Sequence, residues 1–186
     1  LSLNQQAGGP ARQIFDELVN SWQFNTNLTE DNQHKLQADF TRLQDLKTVR
    51  ELIDRYALLH EYSIPQLISG SYIPGLSTSK WNSWSQNLAG ALGKSLPVDP
   101  INSFGVCADH DASTCWNDST KDFICPADSF VYRYRAVNNQ TARLYFNAEF
   151  TNGGSGVTWV GSPQVNVPAS ADPADKCNAT NEAVWL

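Results

Sequence analysis

Four cysteines, Cys107, Cys115, Cys125 and Cys177, carry the strongest chemical signal in the chain. Structural zinc sites usually pair ligands about two to four residues apart. No two of these cysteines are that close, so two disulfides are favoured over a metal. Three pairings are open to four cysteines. The expected arrangement is one bridge within residues 107–125 and a second tying Cys177 to that loop. Each closure would contribute about 3–4 kcal/mol in the chain-entropy account.

Carboxylates crowd the same stretch: Asp109, Asp111, Asp118 and Asp122, with Asp99 just before it. An EF-hand fails here, because Thr114 stands where the loop glycine is required and Thr120 where the final Glu is required. The three histidines, His34, His60 and His110, form no recognisable catalytic or zinc motif, and no nucleophile-elbow sequence occurs. Gly90-Ala91-Leu92-Gly93-Lys94-Ser95 ends like a phosphate-binding loop. Leu88 occupies the first glycine position, and a helical pattern precedes the stretch where a strand is needed. Gly93 reads better as a helix cap. Trp81, Trp84 and Trp116 make a candidate sugar-stacking platform, set against the ordinary core role of tryptophan at helical spacing. Candidate glycosylation sequons stand at Asn27, Asn117, Asn139 and Asn178.

Composition narrows the classes. The chain has 186 residues and a net charge of −6, with 41% hydrophobic and 11% aromatic residues. This suits one domain with a single core, not a disordered chain. The acidic balance argues against nucleic acid as a partner. No apolar run approaches the roughly 18–20 residues of a bilayer span. Charged residues are only 17%, below the roughly 25% usual for soluble domains. With four Cys and abundant Asn, Ser and Thr, an oxidising, extracellular or cell-surface setting is expected. The chain starts at Leu1 and reads as a processed product or a piece of something longer.

The elements that must position these residues follow from periodicity. Ile14, Phe15, Leu18, Val19 and Trp22 predict a short helix after Pro10. From about Thr29 to Tyr62, Leu36, Phe40, Leu43, Leu46, Val49, Ile53, Tyr56, Leu59 and Tyr62 recur at three- and four-residue steps. They predict one helix of about 30 residues, roughly 45 Å long. A short helix over 81–92 places Trp81, Trp84, Leu88 and Leu92 on one face. A rigid turn follows at Leu96-Pro97-Val98-Asp99-Pro100-Ile101-Asn102, then a long loop over 103–128. Alternation over 130–137 and 142–150 predicts a hairpin, with Asn138-Asn139 supplying positive φ angles at its turn. Its Ala142, Leu144, Phe146, Ala148, Phe150 face is expected on the long helix. Val157, Trp159, Val165 and Val167 in the tail suggest an edge strand.

This order of elements resembles the globular part of type IV pilin-like proteins, especially the major pseudopilins of type II secretion. The residues that carry the resemblance are Arg42-Leu43-Gln44-Asp45-Leu46 and Tyr56 on the helix, Gly70-Ser71-Tyr72-Ile73-Pro74-Gly75, the Leu96–Asn102 turn, and Val131-Tyr132-Arg133-Tyr134. It covers residues 36–150. It implies an α+β fold in which a long helix backs a small antiparallel sheet and the Asp-Pro turn introduces a structured loop. Such pseudopilins bind calcium in that loop, which makes Asp99, Asp109, Asp111, Asp118 and Asp122 candidate Ca2+ ligands. Two departures stand out: residues 1–35 lack the apolar membrane-inserting helix of pilins, and the cysteine loop is long.

The organisation expected is an N-terminal segment over 1–29 suited to contacting another subunit, a pilin-like domain over 30–152, and a C-terminal tail over 153–186. The function expected is a non-enzymatic structural subunit of an extracellular filament or surface assembly that polymerises with itself or with related subunits. The alternatives are a carbohydrate-binding adhesin using exposed tryptophans and a secreted hydrolase with paired carboxylates.

Overall fold

A computed structural model describes residues 29–149 and the strand over 181–185. Helix α1 runs over Glu30–Leu59, a single uninterrupted element of 30 residues. The Thr29 side chain accepts a hydrogen bond from the Asn32 N–H, and Glu30 and Asp31 place negative charge in the first turn. Both features favour a helix start at this point.

The helix buries Asp39, Arg42, Leu46, Val49 and Ile53. These are steps of three and four, one stripe. The apolar reading needs correcting at both ends of that stripe. Phe40 is 48% exposed while its neighbour Asp39 is buried, and Leu59 and Tyr62 stand in solvent. The buried face is apolar only in its middle turns, because at Asp39 and Arg42 a charge network takes the place of hydrocarbon.

The main sheet has four strands in the order β1-β4-β5-β6: β1 (Leu76–Thr78), β4 (Arg133–Ala136), β5 (Ala142–Phe146) and β6 (Asn181–Trp185). Every pairing is antiparallel, with Tyr134 opposite Leu144 and Leu144 opposite Ala183. The expected face of β5 lies on the helix: Ala142, Leu144 and Phe146 share a core cluster with Leu46, Val49 and Ile53, and Ala148 packs against it. Tyr132, Tyr134, Trp84 and Leu88 complete that cluster. The far face of the central strands is also covered, since Arg133 and Tyr145 are each 1% exposed and the guanidinium lies 5.5 Å from the Tyr145 ring. An edge strand does come from the tail, at β6. Val157, Trp159, Val165 and Val167, expected to form it, lie outside the described residues, as do Phe150 and residues 1–28.

Two local readings are corrected. The hairpin turn does not use left-handed asparagines, for no residue over 137–141 has a positive φ. The Asn138 Oδ1 instead accepts the Gln140 and Thr141 N–H groups, both at 2.8 Å, and the Val137 N–H donates to the Thr141 carbonyl. A side-chain-closed loop of this kind needs no mirror-image turn. The short helix opens as a π segment over Ser83–Leu88 before continuing as α2 over Ala89–Leu92. Trp81 precedes the π segment, lies outside the face shared by Trp84, Leu88 and Leu92, and joins a second cluster. Gly93 ends the element at φ 68°, ψ 20°, the left-handed cap that glycine adopts without a Cβ clash.

Candidate functional site

The helix and the Asp-Pro turn meet at a buried charge network. The Arg42 Nε donates to Asp99 Oδ2 at 2.7 Å and its Nη2 donates to Asp99 Oδ1 at 3.0 Å. This is the two-pronged geometry that a planar guanidinium forms with a carboxylate. The Nη1 donates to Asp39 at 2.7 Å and lies 2.7 Å from Glu149 Oε1. Arg42 is 0%, Asp99 1% and Asp39 4% exposed. Burial opposes the guanidinium charge, but the hydrogen bonds and charge of Asp99, with those of Asp39 and Glu149, outweigh it and hold the pKa above its ordinary value. Asp99 also accepts the Ile101 N–H at 2.9 Å, so one carboxylate ties the turn to the helix and closes the turn on itself. Sequence reasoning placed Asp99 among metal ligands and gave Arg42 no role. A usable signal was present: extending the Ile53, Val49, Leu46 steps backward lands on Arg42 and Asp39.

Beside this network the Tyr132 hydroxyl donates to Asp45 Oδ2 at 2.7 Å. Burial pushes the Asp45 carboxyl above the usual carboxylate range, partly offset by that hydrogen bond. The folded state therefore binds this proton more readily than the unfolded chain does. The resulting stabilisation is complete below the ordinary carboxylate pKa of about 3.9 and is lost as pH rises through the elevated folded value. Asp45→Asn keeps an acceptor for Tyr132 and removes the charge. It should melt at or above the wild type at about pH 7, with the wild type closing the gap as pH falls towards about 4. A variant that melts clearly lower at neutral pH would show that the ionised carboxylate's bond to Tyr132 outweighs its burial.

The cysteine loop is the second chemical locus. Cys107 and Cys115 form a disulfide, Cys125 is also disulfide-bonded, and Cys177 lies outside the described residues. The Cys107–Cys115 bridge spans a sequence separation of only 8. Both cysteines belong to a buried cluster with Trp81, Trp116 and Phe123. A two-stranded ribbon crosses the loop, β2 (Trp116–Asn117) against β3 (Asp122–Phe123). Replacing Cys107 and Cys115 together with Ala should cost about 2–3 kcal/mol, the loop-closure value for so short a ring, measured by denaturant unfolding. No loss would mean that the ribbon and tryptophans hold the loop unaided.

Of the five candidate Ca2+ ligands, Asp109, Asp111 and Asp118 line one surface cavity. Asp99 is committed to Arg42. The Asp111 Oδ1 accepts four hydrogen bonds from the Ser113 and Thr114 backbones and hydroxyls. These, led by the Ser113 hydroxyl, hold its carboxyl below the ordinary value. Asp118 is engaged by Lys121 at 2.6 Å, and its carboxyl too is held low, first by that hydrogen bond. Asp122 faces His110 at 3.9 Å. Asp109 contributes its backbone carbonyl to Asn117. Among the described residues no three His, Cys, Asp or Glu side chains are grouped to hold a metal. In this arrangement the carboxylates do not fit a calcium shell, which needs about six to eight oxygens on one ion.

The sugar-platform reading is corrected by burial. Trp81, Trp84 and Trp116 are 2%, 0% and 8% exposed. The Trp84 Nε1–H donates to the Pro97 carbonyl and the Trp81 Nε1–H to the Thr114 carbonyl, both at 2.9 Å. Tyr72 stacks on Trp116 at 5.2 Å. A stacking platform needs an open ring face, and all three indoles are spent on packing instead. A surface cavity of about 640 Å³ beside them is lined by Tyr72, His110, Trp116 and the loop's hydroxyl and acid groups. The acids on its wall are Asp109, Asp111 and Asp118; the carboxylates of Asp111 and Asp118 are bonded within the loop, and Asp109 bonds through its backbone carbonyl.

The remaining candidates are dispersed. His34 lies 3.8 Å from Glu30 on the exposed side of the helix. His60 stacks on Tyr56 at 3.8 Å. The His110 Nδ1 is 2.8 Å from the Ala108 carbonyl. Of the sequons, Asn139 is on the exposed hairpin loop. Asn117 is half-buried, with its side chain bonded to the Asp109 carbonyl and to the Ser119 N–H. Asn27 and Asn178 lie outside the described residues. Among the described residues no helix is long and apolar enough to cross a membrane. No protein-family model, curated protein or solved structure matches this chain.

Proposed function

We propose that this chain is a non-enzymatic structural subunit of an extracellular filament or cell-surface assembly, built on a pilin-like plan. The observation that carries this reading is the Arg42–Asp99 fork. It joins two segments that suggested the resemblance, the helix at Arg42–Leu46 and the turn at Leu96–Asn102. One unbroken helix backing an antiparallel sheet gives such a subunit a stiff spine. Two-sided covering of the central strands leaves rigid packing as its mode of action. Export accounts for a disulfide in so small a loop, since such bonds persist in oxidising compartments. The test is electron microscopy of native material, in which regular filaments or arrays containing this chain are expected. Dispersed particles of single-subunit mass under every condition would overturn the proposal.

A further inference from the structure

At and just past the C-terminal end of α1, large apolar side chains are exposed. Leu58 is 70%, Leu59 76% and Tyr62 68% exposed. Beside them a groove of about 510 Å³ opens between helix and hairpin, walled by Ile53, Ala57, Leu58, Tyr62, Ile64 and Leu144. Arg50 and Asp54 stand at its rim. Glu61 and Tyr62 both hold positive φ, 54° and 60°. Two adjacent non-glycine residues in that region are costly, and here they turn an aromatic ring outward.

We infer that this groove receives the apolar segment Ile14–Phe24 of a second copy of this chain. The inference rests on the assembly reading above and names its contact. Ile14, Phe15, Leu18, Val19 and Trp22 form one apolar stripe at helical spacing. Arg12, Asp16 and Glu17 fall between or beside them and suit a rim carrying Arg50 and Asp54. Chain length selects the second copy. At 1.5 Å per residue, the groove residues Ile53 and Leu58 stand about 36 and 44 Å along α1 from Thr29. Phe24 is five residues from Thr29 and reaches at most about 18 Å even when fully extended; Val19 reaches about 35 Å. The stripe as a whole cannot lie over its own groove. A segment at one end and its receptor at the other make a head-to-tail contact, which propagates into a filament unless it closes as a ring.

The experiment is sedimentation velocity on the full chain over a wide concentration range. It uses a groove variant (Leu58→Asp with Tyr62→Asp), a segment variant (Ile14→Asp with Leu18→Asp) and their equimolar mixture. The groove positions are exposed, so folding should persist; circular dichroism checks it, and Tyr62→Ser serves if the double variant melts early. The wild type should associate with rising concentration, and each variant alone should associate at least about tenfold more weakly. The mixture should recover a one-to-one pair, because one partner keeps its groove and the other its segment. Association that survives the groove variant overturns this inference and leaves the assembly reading standing. Loss in both variants without recovery in the mixture also overturns it, pointing to like-on-like contact or to cover by residues 150–180. A wild type monomeric at every concentration overturns both readings.

Discussion

Arg42→Ala should cost about 3–5 kcal/mol of stability, the range found when one partner of a buried ion pair is removed. The side chain is fully buried and faces three carboxylates, Asp39, Asp99 and Glu149. Without it their charges face one another with no cation between them, and the Leu96–Asn102 turn loses its tie to the helix. Arg42→Lys should recover only part of the loss, because an ammonium cannot span both Asp99 oxygens while also reaching Asp39. Arg42→Met combined with Asp99→Asn should be milder than Arg42→Ala alone, since one of the stranded charges is gone. Denaturant unfolding of the three variants at constant pH checks the order. A loss below about 1 kcal/mol for Arg42→Ala, the range of an exposed pair, would show that the network is hydrated and weak.

Trp84→Ala should be comparably severe, about 3–5 kcal/mol for a truncated core aromatic. The indole is 0% exposed and sits 6.3 Å from the Tyr132 ring, in the cluster that joins helix, sheet and π segment. Truncation leaves a cavity and also strands the Pro97 carbonyl that accepts the indole N–H. Trp84→Phe separates the two causes. It keeps most of the apolar volume and loses the hydrogen bond, so about 1–3 kcal/mol is expected. Thermal melts of both variants give the comparison. Equal losses would mean that the hydrogen bond, not the volume, dominates.

The parts of the fold legible in the sequence were those written in hydrocarbon or in capping chemistry. The start of α1 at Thr29, the inward face of β5 and the cap at Gly93 each depend on a local, repeated or conformationally special residue. The Arg42 network was obscure because apolar periodicity counts only apolar side chains, and here charges buried by mutual pairing continue the stripe. The hairpin turn was misread because Asn138 acts through its side-chain oxygen, not through its backbone angle. Trp81, Trp84 and Trp116 share a residue type, but Trp81, which stands before the π segment, packs in a different cluster from Trp84. Of the candidate site, the short bridge within residues 107–125 was foreseen in kind. The commitments of Asp99, Asp111 and Asp118 were not, because their donors are backbone groups, hydroxyls and cations brought close by the fold.

The placement of β6 has a consequence for the order in which the molecule is completed. Phe146 pairs with Asn181 across a long intervening stretch, while β4 and β5 are joined by a short loop. The hairpin can close locally, but the fourth strand must wait for a much larger ring to close. Until Asn181–Trp185 docks, β5 carries an open row of peptide N–H and C=O groups along one side. A newly made chain thus passes through a state with a sticky border. The speed at which that border is sealed sets how much chain is lost to tangled by-products.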